Sequence, residues 1–358
     1  MDDTSYRILD ILSRNLGRPI SINELTKKID EIHRGAYYAN IHERIQDLKR
    51  QKIIAVIKAG RSSLLSLNFE NYLITDMLAE MELKRKQDFL REKQEFAMLM
   101  LEVDTYLRDI PLIKSISLMY PEKNAKLNRA EILIQLRESH NRGIIENTKI
   151  DIHSIIDNLQ KVRNSRIDYV ILEYEDFLNL LKSDEINPIR EMLHNKIVIL
   201  HPQDFWMTTK IAVENGIKII AEKDETNPAK IIEEDLVFNL ARFGYTELGP
   251  KIKQGRLICL EYIISKIMLS KDERRTDAVS IILAKNKNTN YDLLLFLGRK
   301  FDFSGKILGI LNALRSLVVH NMQNIEEPIK LLEAMKIEEF KINTKNLKEK
   351  LRLYNVIR

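Results

Sequence analysis

Within the first seventy residues the apolar positions change spacing in an order that few small folds accommodate. Ile8, Leu9, Ile11, Leu12 and Leu16 share one helical face. Gly17 and Pro19 stop that helix. Ile20-Ser21-Ile22 is a short extended piece, and Ser21 or Asn23 can cap a second helix carrying Leu25, Ile29 and Ile32. Gly35 marks a turn. A third helix is expected from about residue 36 to 51, with Ile41, Ile45 and Leu48 turned inward. Residues 53–57 and 62–67 then read as two short strands around Lys58-Ala59-Gly60-Arg61, a hairpin by length and composition.

Helix, short strand, helix, turn, helix and hairpin is the order of a winged helix-turn-helix. In that fold the third helix enters the major groove and the wing touches backbone or minor groove. The face opposite Ile41, Ile45 and Leu48 carries Ala39, Asn40, Glu43, Gln46 and Arg50, with Tyr37, Tyr38 and Arg44 at its flanks. Asn and Gln can bind adenine in bidentate fashion, and Arg can bind guanine so. Tyr hydroxyls and Arg fix phosphates. Lys58 and Arg61 sit where a wing would reach the backbone, and Arg34 precedes the third helix. The expected DNA-contacting set is therefore Arg34, Tyr37, Tyr38, Asn40, Arg44, Gln46, Arg50, Lys58 and Arg61. Glu43 opposes that reading, since it would face a phosphate or a base edge. A winged helix acting only as a protein-interaction module is the alternative.

The 358 residues exceed one ordinary core, so two or three domains are expected. Apolar residues make up 44% and charged residues 30%, a globular composition, and the scarcity of glycine (11) and proline (8) favours helices with short connections. The net charge of +5 is uneven. Residues 1–70 hold 12 Lys/Arg against 9 Asp/Glu, and residues 285–358 hold 14 against 8. The basic excess thus sits at the two ends, which matters for a polyanion more than the total does. A lone cysteine, Cys259, excludes a disulfide framework and a cysteine zinc site. No apolar run approaches the ~18 residues of a membrane span, and the acidic start has no apolar stretch behind it. A cytoplasmic protein with no membrane partner is expected.

The phrase Asn40-Ile-His-Glu-Arg-Ile-Gln-Asp-Leu-Lys-Arg-Gln-Lys-Ile-Ile54 resembles the end of the recognition helix in archaeal winged-helix regulators, with Lys52 where glycine is usual. Residues 63–68 look like the closing wing strand of those proteins, and residues 78–86 like their linker helix. In archaea such a unit is often followed by a minimal nucleotidyltransferase domain of the polymerase β superfamily, and residues 112–205 resemble one. The resemblance implies a strand, a Gly-Ser turn, a helix, a strand with Asp-x-Asp, and a later strand with a third carboxylate. Those carboxylates would hold two Mg²⁺ ions on a nucleoside triphosphate. Here Ile116-Ser-Leu-Met-Tyr-Pro121 puts Tyr120 and Pro121 in place of Gly and Ser. Asn128-Arg-Ala-Glu-Ile-Leu-Ile134 puts Arg129 and Glu131 in place of the two Asp residues. Arg166-Ile-Asp-Tyr-Val-Ile-Leu172 supplies Asp168 as the third carboxylate.

A cation at a Mg²⁺ position repels the ion, and Pro121 removes a backbone donor from the phosphate cradle. The expectation is therefore a catalytically inactive domain serving as nucleotide sensor or scaffold, with no cofactor and no metal, and with Arg129 paired to Glu131 or Asp168. Glu131 and Asp168 remain weak catalytic candidates for the alternative, a working nucleotidyltransferase that modifies a partner in the manner of an antitoxin. Candidate strands fall at 113–119, 131–136, 167–172 and 197–200, and helices at 150–162, 174–182 and 188–193. The expected class is α+β and mostly helical: a winged helix over 1–70, one long linker helix over 71–110, a degenerate nucleotidyltransferase-like domain over 111–225, and a basic helical domain over 226–358. A homodimer on double-stranded DNA is the expected assembly.

Other constellations are weaker. Arg315-Ser-Leu-Val-Val-His320 fits the R-x4-H motif of HEPN ribonucleases, but with 7 histidines in the chain such a match arises by chance. No H-E-x-x-H, Walker P-loop or G-x-S-x-G motif occurs. The loop from Gly244 to Arg256, with Lys251 and Lys253, has the composition of a phosphate loop and equally that of a helix-connecting turn. Asp151, His153 and Asp157 read as a polar helix face, and Phe205 and Trp206 as core.

Overall fold

The computed structural model describes residues 1–35, 37–60, 62–126, 129–247, 254–270, 273–318 and 325–357. The first elements follow the predicted order: α1 (Asp3–Arg14), β1 (Ile20–Ser21), α2 (Ile22–His33), α3 (Tyr38–Arg50), β2 (Ile54–Ala59) and β3 (Ser62–Leu67). Asp2 caps α1 by accepting from the Ser5 N–H at 2.9 Å, and Ser21 caps α2 through the Glu24 N–H at 3.2 Å. β1 and β2 flank β3 in an antiparallel sheet, with β2 and β3 in register from Ile54 opposite Leu67 to Ala59 opposite Ser62. Gly60 turns that hairpin at φ +60°. Ile8, Leu9, Ile11, Leu12, Leu25, Ile29, Ile41, Ile45 and Leu48 are buried as the spacing requires, whereas Ile32 is exposed.

α3 ends in a Schellman turn. The Lys52 N–H donates to the Lys49 carbonyl and the Ile53 N–H to the Leu48 carbonyl, both at 2.9 Å. The turn forces Lys52 to φ +57°. That is the physical reason glycine is usual there in the regulators this segment resembles.

The linker is not one helix. α4 (Ile74–Glu92) and α5 (Gln94–Leu107) are separated at Lys93, which has φ −119° and ψ 58°. Phe89 and Phe96 meet edge to face across the break, with ring centroids 6.1 Å apart. Nor does α4 stand free: Ile74, Leu78, Met81, Glu82, Arg85 and Phe89 are all buried. Ile74, Leu78 and Met81 join the core on one face of the central sheet, while Phe89 and α5 join the core on the other. The chain must bend to pass between these layers.

The central sheet comprises β4 (Ile113–Met119), β5 (Arg129–Leu136), β6 (Arg166–Leu172) and β7 (Lys196–Leu200), in the order β6-β5-β4-β7. β5 and β6 are parallel, and the other neighbours are antiparallel. α6 (Pro121–Lys126) and α7 (Arg142–Arg163) connect the first three strands. α7 starts eight residues before the predicted 150, where Asn141 caps it through the Ile144 N–H. α8 (Tyr174–Lys182), α9 (Pro188–His194) and α10 (Pro202–Glu214) complete this part.

Alternation along the strands divides the sheet. Ile116, Leu118, Ile132, Ile134, Tyr169, Ile171, Ile197 and Ile199 face the core shared with α5 and α7. Met119, Leu133, Val170, Leu172 and Val198 face the other core, along with the polar Ser117, Glu131, Gln135, Asp168 and Lys196.

The remaining helices are α11 (Glu233–Arg242), α12 (Leu260–Leu269), α13 (Glu273–Lys285), α14 (Tyr291–Lys300), α15 (Ser304–Leu317), α16 (Glu326–Ala334) and α17 (Thr344–Leu353). α14 packs against β6. The second core runs unbroken from Tyr6 in α1 through Phe205 and Trp206 to Leu351 in α17. The chain is thus α+β and mainly helical. Among the described residues no helix is long and apolar enough to cross a membrane.

Replacing Lys52 with glycine should relieve the left-handed backbone and stabilise the chain by about 0.5–1 kcal/mol. Thermal unfolding followed by circular dichroism should show a rise of a degree or two; a fall would mean that the Lys52 side chain contributes more than its backbone costs.

Candidate nucleic-acid interface and the Glu131–Asp168 centre

The outward face of α3 is set by the three apolar residues on its inner face. With Ile41, Ile45 and Leu48 buried, Tyr38, Ala39, Asn40, His42, Glu43, Gln46, Lys49 and Arg50 are exposed. Tyr37, just before the helix, is 74% exposed. Tyr38 stacks on His42 with ring centroids 6.1 Å apart. Lys58 is exposed on β2. Arg34 is exposed at φ +55°, and its carbonyl accepts from Arg7 Nη1 at 3.1 Å. Arg61 lies outside the described residues. Of the described members of the predicted set, Arg34, Tyr37, Tyr38, Asn40, Gln46, Arg50 and Lys58 are exposed, whereas Arg44 is part-buried and bound to Asp2, Ser5 Oγ and Asp47. His42 and Lys49 belong to the face and were missed, although the 100° spacing from Tyr38 and Gln46 identifies them.

A buried charge cluster joins α1, α2, α4 and β7. Asp10 of α1 is fully buried and accepts from Arg85 of α4, from Arg14 Nε at 3.2 Å and from His33 Nε2 at 3.0 Å. Burial alone would raise the Asp10 pKa, but Arg85 and Arg14 hold it well below the usual carboxylate range. Arg85 also reaches Glu82 at 2.9 Å, Ser13 Oγ at 3.0 Å and the Lys196 carbonyl at 3.2 Å. Glu82 accepts from Lys196 Nζ and from the Val198 N–H, each at 3.1 Å. Burial pulls Lys196 down to about 8 against the attraction of Glu82.

A second attachment runs through α9 and the segment 217–222. Arg190 donates to Glu222 at 2.6 Å, and Glu222 accepts from Arg18 at 2.8 Å. His194 Nδ1 meets the Arg14 carbonyl at 2.6 Å. Gly17, at φ +75°, lies so close to the Ile219 carbonyl that a Cβ there would sit 2.0 Å from its oxygen.

In the central sheet Glu131 and Asp168 are direct neighbours in the parallel register of β5 and β6, and both are buried. Arg129 bonds Glu131 Oε1, and Lys300 of α14 donates to Oε2 at 2.7 Å. Lys300 also donates to Glu225 at 3.0 Å, which pairs with Lys123 at 2.7 Å. Arg166 holds Asp168 through Nε at 3.1 Å. Burial raises the Asp168 pKa, with Arg166 opposing. Tyr120 stands at φ +46°, where the resemblance expects glycine, and its buried ring lies beside Lys300. Each carboxylate is thus answered by a cation of the chain itself. To ligate a metal, Glu131 would first have to lose Arg129 and Lys300, and Asp168 would have to lose Arg166.

Among the described residues the one group of three carboxylates at metal-ligating distance lies elsewhere. Glu173, Asp176 and Asp292 border a cavity of about 370 Å³, beside Lys149, which donates to Asp292 at 2.9 Å. Burial pushes Asp176 up to about 6, with Asp292 and Glu173 adding to it. Their distance along the chain hides this grouping from a sequence reading.

Arg315 faces Glu326 at 3.5 Å on the surface, and His320 lies outside the described residues, as do Lys251 and Lys253. His153 meets the Tyr169 hydroxyl at 2.6 Å, and Asp157 pairs with Lys161. Compared with known proteins, the chain matches no family model, no curated protein and no solved structure.

Two measurements test this electrostatic framework. Asp10→Asn leaves Arg85 buried beside an excess of positive charge and should lower unfolding stability by about 3 kcal/mol, read by denaturant titration; an unchanged midpoint would show that Asp10 does not hold the cluster. Glu191 of α9 accepts from the Thr226 N–H and the Tyr262 hydroxyl, each at 2.7 Å, and burial pushes it up to about 7. A carboxyl raised in the fold keeps its proton after the unfolded chain has lost its own. Its contribution is therefore present near pH 4.5 and is lost as pH rises to about 7. Glu191→Gln should reduce the fall in stability between pH 5 and pH 8 by roughly 2–3 kcal/mol; the same fall in both proteins would rule out Glu191 as its source.

Proposed function

We propose that the chain is a cytoplasmic DNA-binding protein of the transcription-regulator kind, reading duplex DNA with α3 and the β2–β3 hairpin as a winged helix-turn-helix. The observation that carries this reading is the exposure of Tyr38, Asn40, Gln46 and Arg50 on α3, of Tyr37 just before it and of Lys58 on the wing. It combines residues that read base edges with residues that hold phosphates. The order of α1, β1, α2, α3, β2 and β3 supports it, as does the antiparallel arrangement of their sheet. One such unit has a small basic excess, so we assign the working form to a homodimer with two recognition helices.

For residues 111–225 we propose a nucleotidyltransferase-like domain that has lost catalysis and serves as scaffold or sensor. The strand and helix order from β4 to β6 supports the resemblance, and so does the Glu131–Asp168 register. The pairing of Glu131 with Arg129 and Lys300 favours the inactive form over a working transferase. A nucleotide or protein partner at this domain and a basic helical domain over 226–358 complete the proposal. For the ribonuclease reading, the pairing of Arg315 with Glu326 offers no support.

A mobility-shift titration at low salt, with the duplex upstream of the protein's own coding region, tests this. Retardation is expected, and Arg50→Ala with Lys58→Ala should weaken it across sequences and reduce the salt slope. No retardation at low salt would refute DNA binding, because phosphate contacts dominate affinity there.

A further inference from the structure

Both arginines of α3 are already engaged. Arg44 meets Asp2 at the start of α1 and Ser5 Oγ, and its Nη1 lies 3.4 Å from Asp47 Oδ2. Arg50 meets Asp47 Oδ1. Asp47 therefore receives one arginine on each oxygen, as a backbone phosphate does on its two free oxygens. Lys49 on the same helix and Lys58 on the wing have no ion pair among the described residues, and neither has the exposed Glu43. The flank of α3 toward α1 thus holds two cations and two anions in mutual contact.

Resting on the DNA-binding reading above, we propose that Asp47 is a built-in phosphate mimic, holding Arg50 in a self-paired state that a DNA phosphodiester must displace. The side chain of Arg50 is 78% exposed and that of Asp47 is 28% exposed, so the pair is screened by water and opens readily. A contact of this kind sets affinity and does not block it. A phosphate approaching Arg50 meets competition from one carboxylate, and releasing that carboxylate offsets part of the energy of the new contact. It also lowers the number of counterions displaced, since an arginine paired within the protein neutralises no phosphate until it is freed.

The test uses the full chain and a mixed-sequence DNA duplex of about three helical turns, with affinity measured over a range of salt. Asp47→Asn keeps the shape and frees Arg50, while Arg44 keeps its contacts with Asp2 and Ser5 Oγ. Glu43→Gln removes one negative charge from the same helix without freeing an arginine. Asp47→Asn should tighten binding about fivefold or more at low salt and steepen the salt slope by about one, for Arg50. Glu43→Gln should tighten it less than about twofold and leave the slope unchanged. Arg50→Gln should cost more affinity in the Asp47→Asn background than in the native chain.

If native chain binds but Asp47→Asn matches Glu43→Gln in both affinity and slope, Asp47 acts only as bulk charge and the proposal is overturned. Weaker binding by a folded Asp47→Asn chain also overturns it, because Asp47 would then be orienting the arginines for DNA. If native and variant chains alike leave the duplex free at low salt, it is the DNA-binding reading that fails.

Discussion

The cluster formed by Asp10, Arg85, Glu82 and Lys196 fixes where everything else sits. It joins α1 of the N-terminal part, α4 of the linker and β7 at the edge of the central sheet. Burying four charges is costly, and apolar residues of the same volume would hold the elements together at least as well. What the charges add is direction. Glu82 takes both the Lys196 ammonium and the Val198 N–H, so it accepts one register of β7 against α4. An apolar patch would tolerate several. The helix that carries Arg85 belongs to the stretch that the sequence reads as one long linker helix, and the cluster holds it against α1 and β7.

Similar chemistry governs the central sheet. One face is apolar and ordinary, and the other carries the buried carboxylates Glu131 and Asp168. Lys300, Arg129 and Arg166 supply the compensating charge, and α14 brings Lys300 from far along the chain. Tyr120 holds a backbone conformation suited to glycine, with its ring and the Lys300 ammonium side by side. The N-terminal ends of β5 and β6 are packed with the protein's own cations.

Local patterns were legible in the sequence and distant pairings were not. The buried faces of α1 and α3, the hairpin, β4 and α8 all follow from spacing, because a period of 3.6 or 2 is written in neighbouring residues. Arg129 meeting Glu131 was legible for the same reason, as both lie on one strand two positions apart. The break at Lys93 carries no glycine or proline, and it exists because α4 and α5 serve different cores. The contacts of Glu131 with Lys300 and of Asp10 with Arg85 join residues with no local signal to link them. Arg44 was assigned to a phosphate although Asp47 stands three residues on, a spacing at which helical side chains meet.

The close approach of Gly17 to the Ile219 carbonyl bears on how the N-terminal part can move. Together with the Arg18–Glu222–Arg190 chain and the contact of His194 with the Arg14 carbonyl, it pins α1 at its far end as Asp10 pins it in the middle. A helix fixed at two points along its length neither swings nor rotates. A recognition unit on a flexible tether can settle on two sites at many separations, like a hand on a loose wrist. One bolted to a rigid frame measures distance: in the homodimer proposed above, the span between the two recognition units would be set by the body of the protein, as on a ruler.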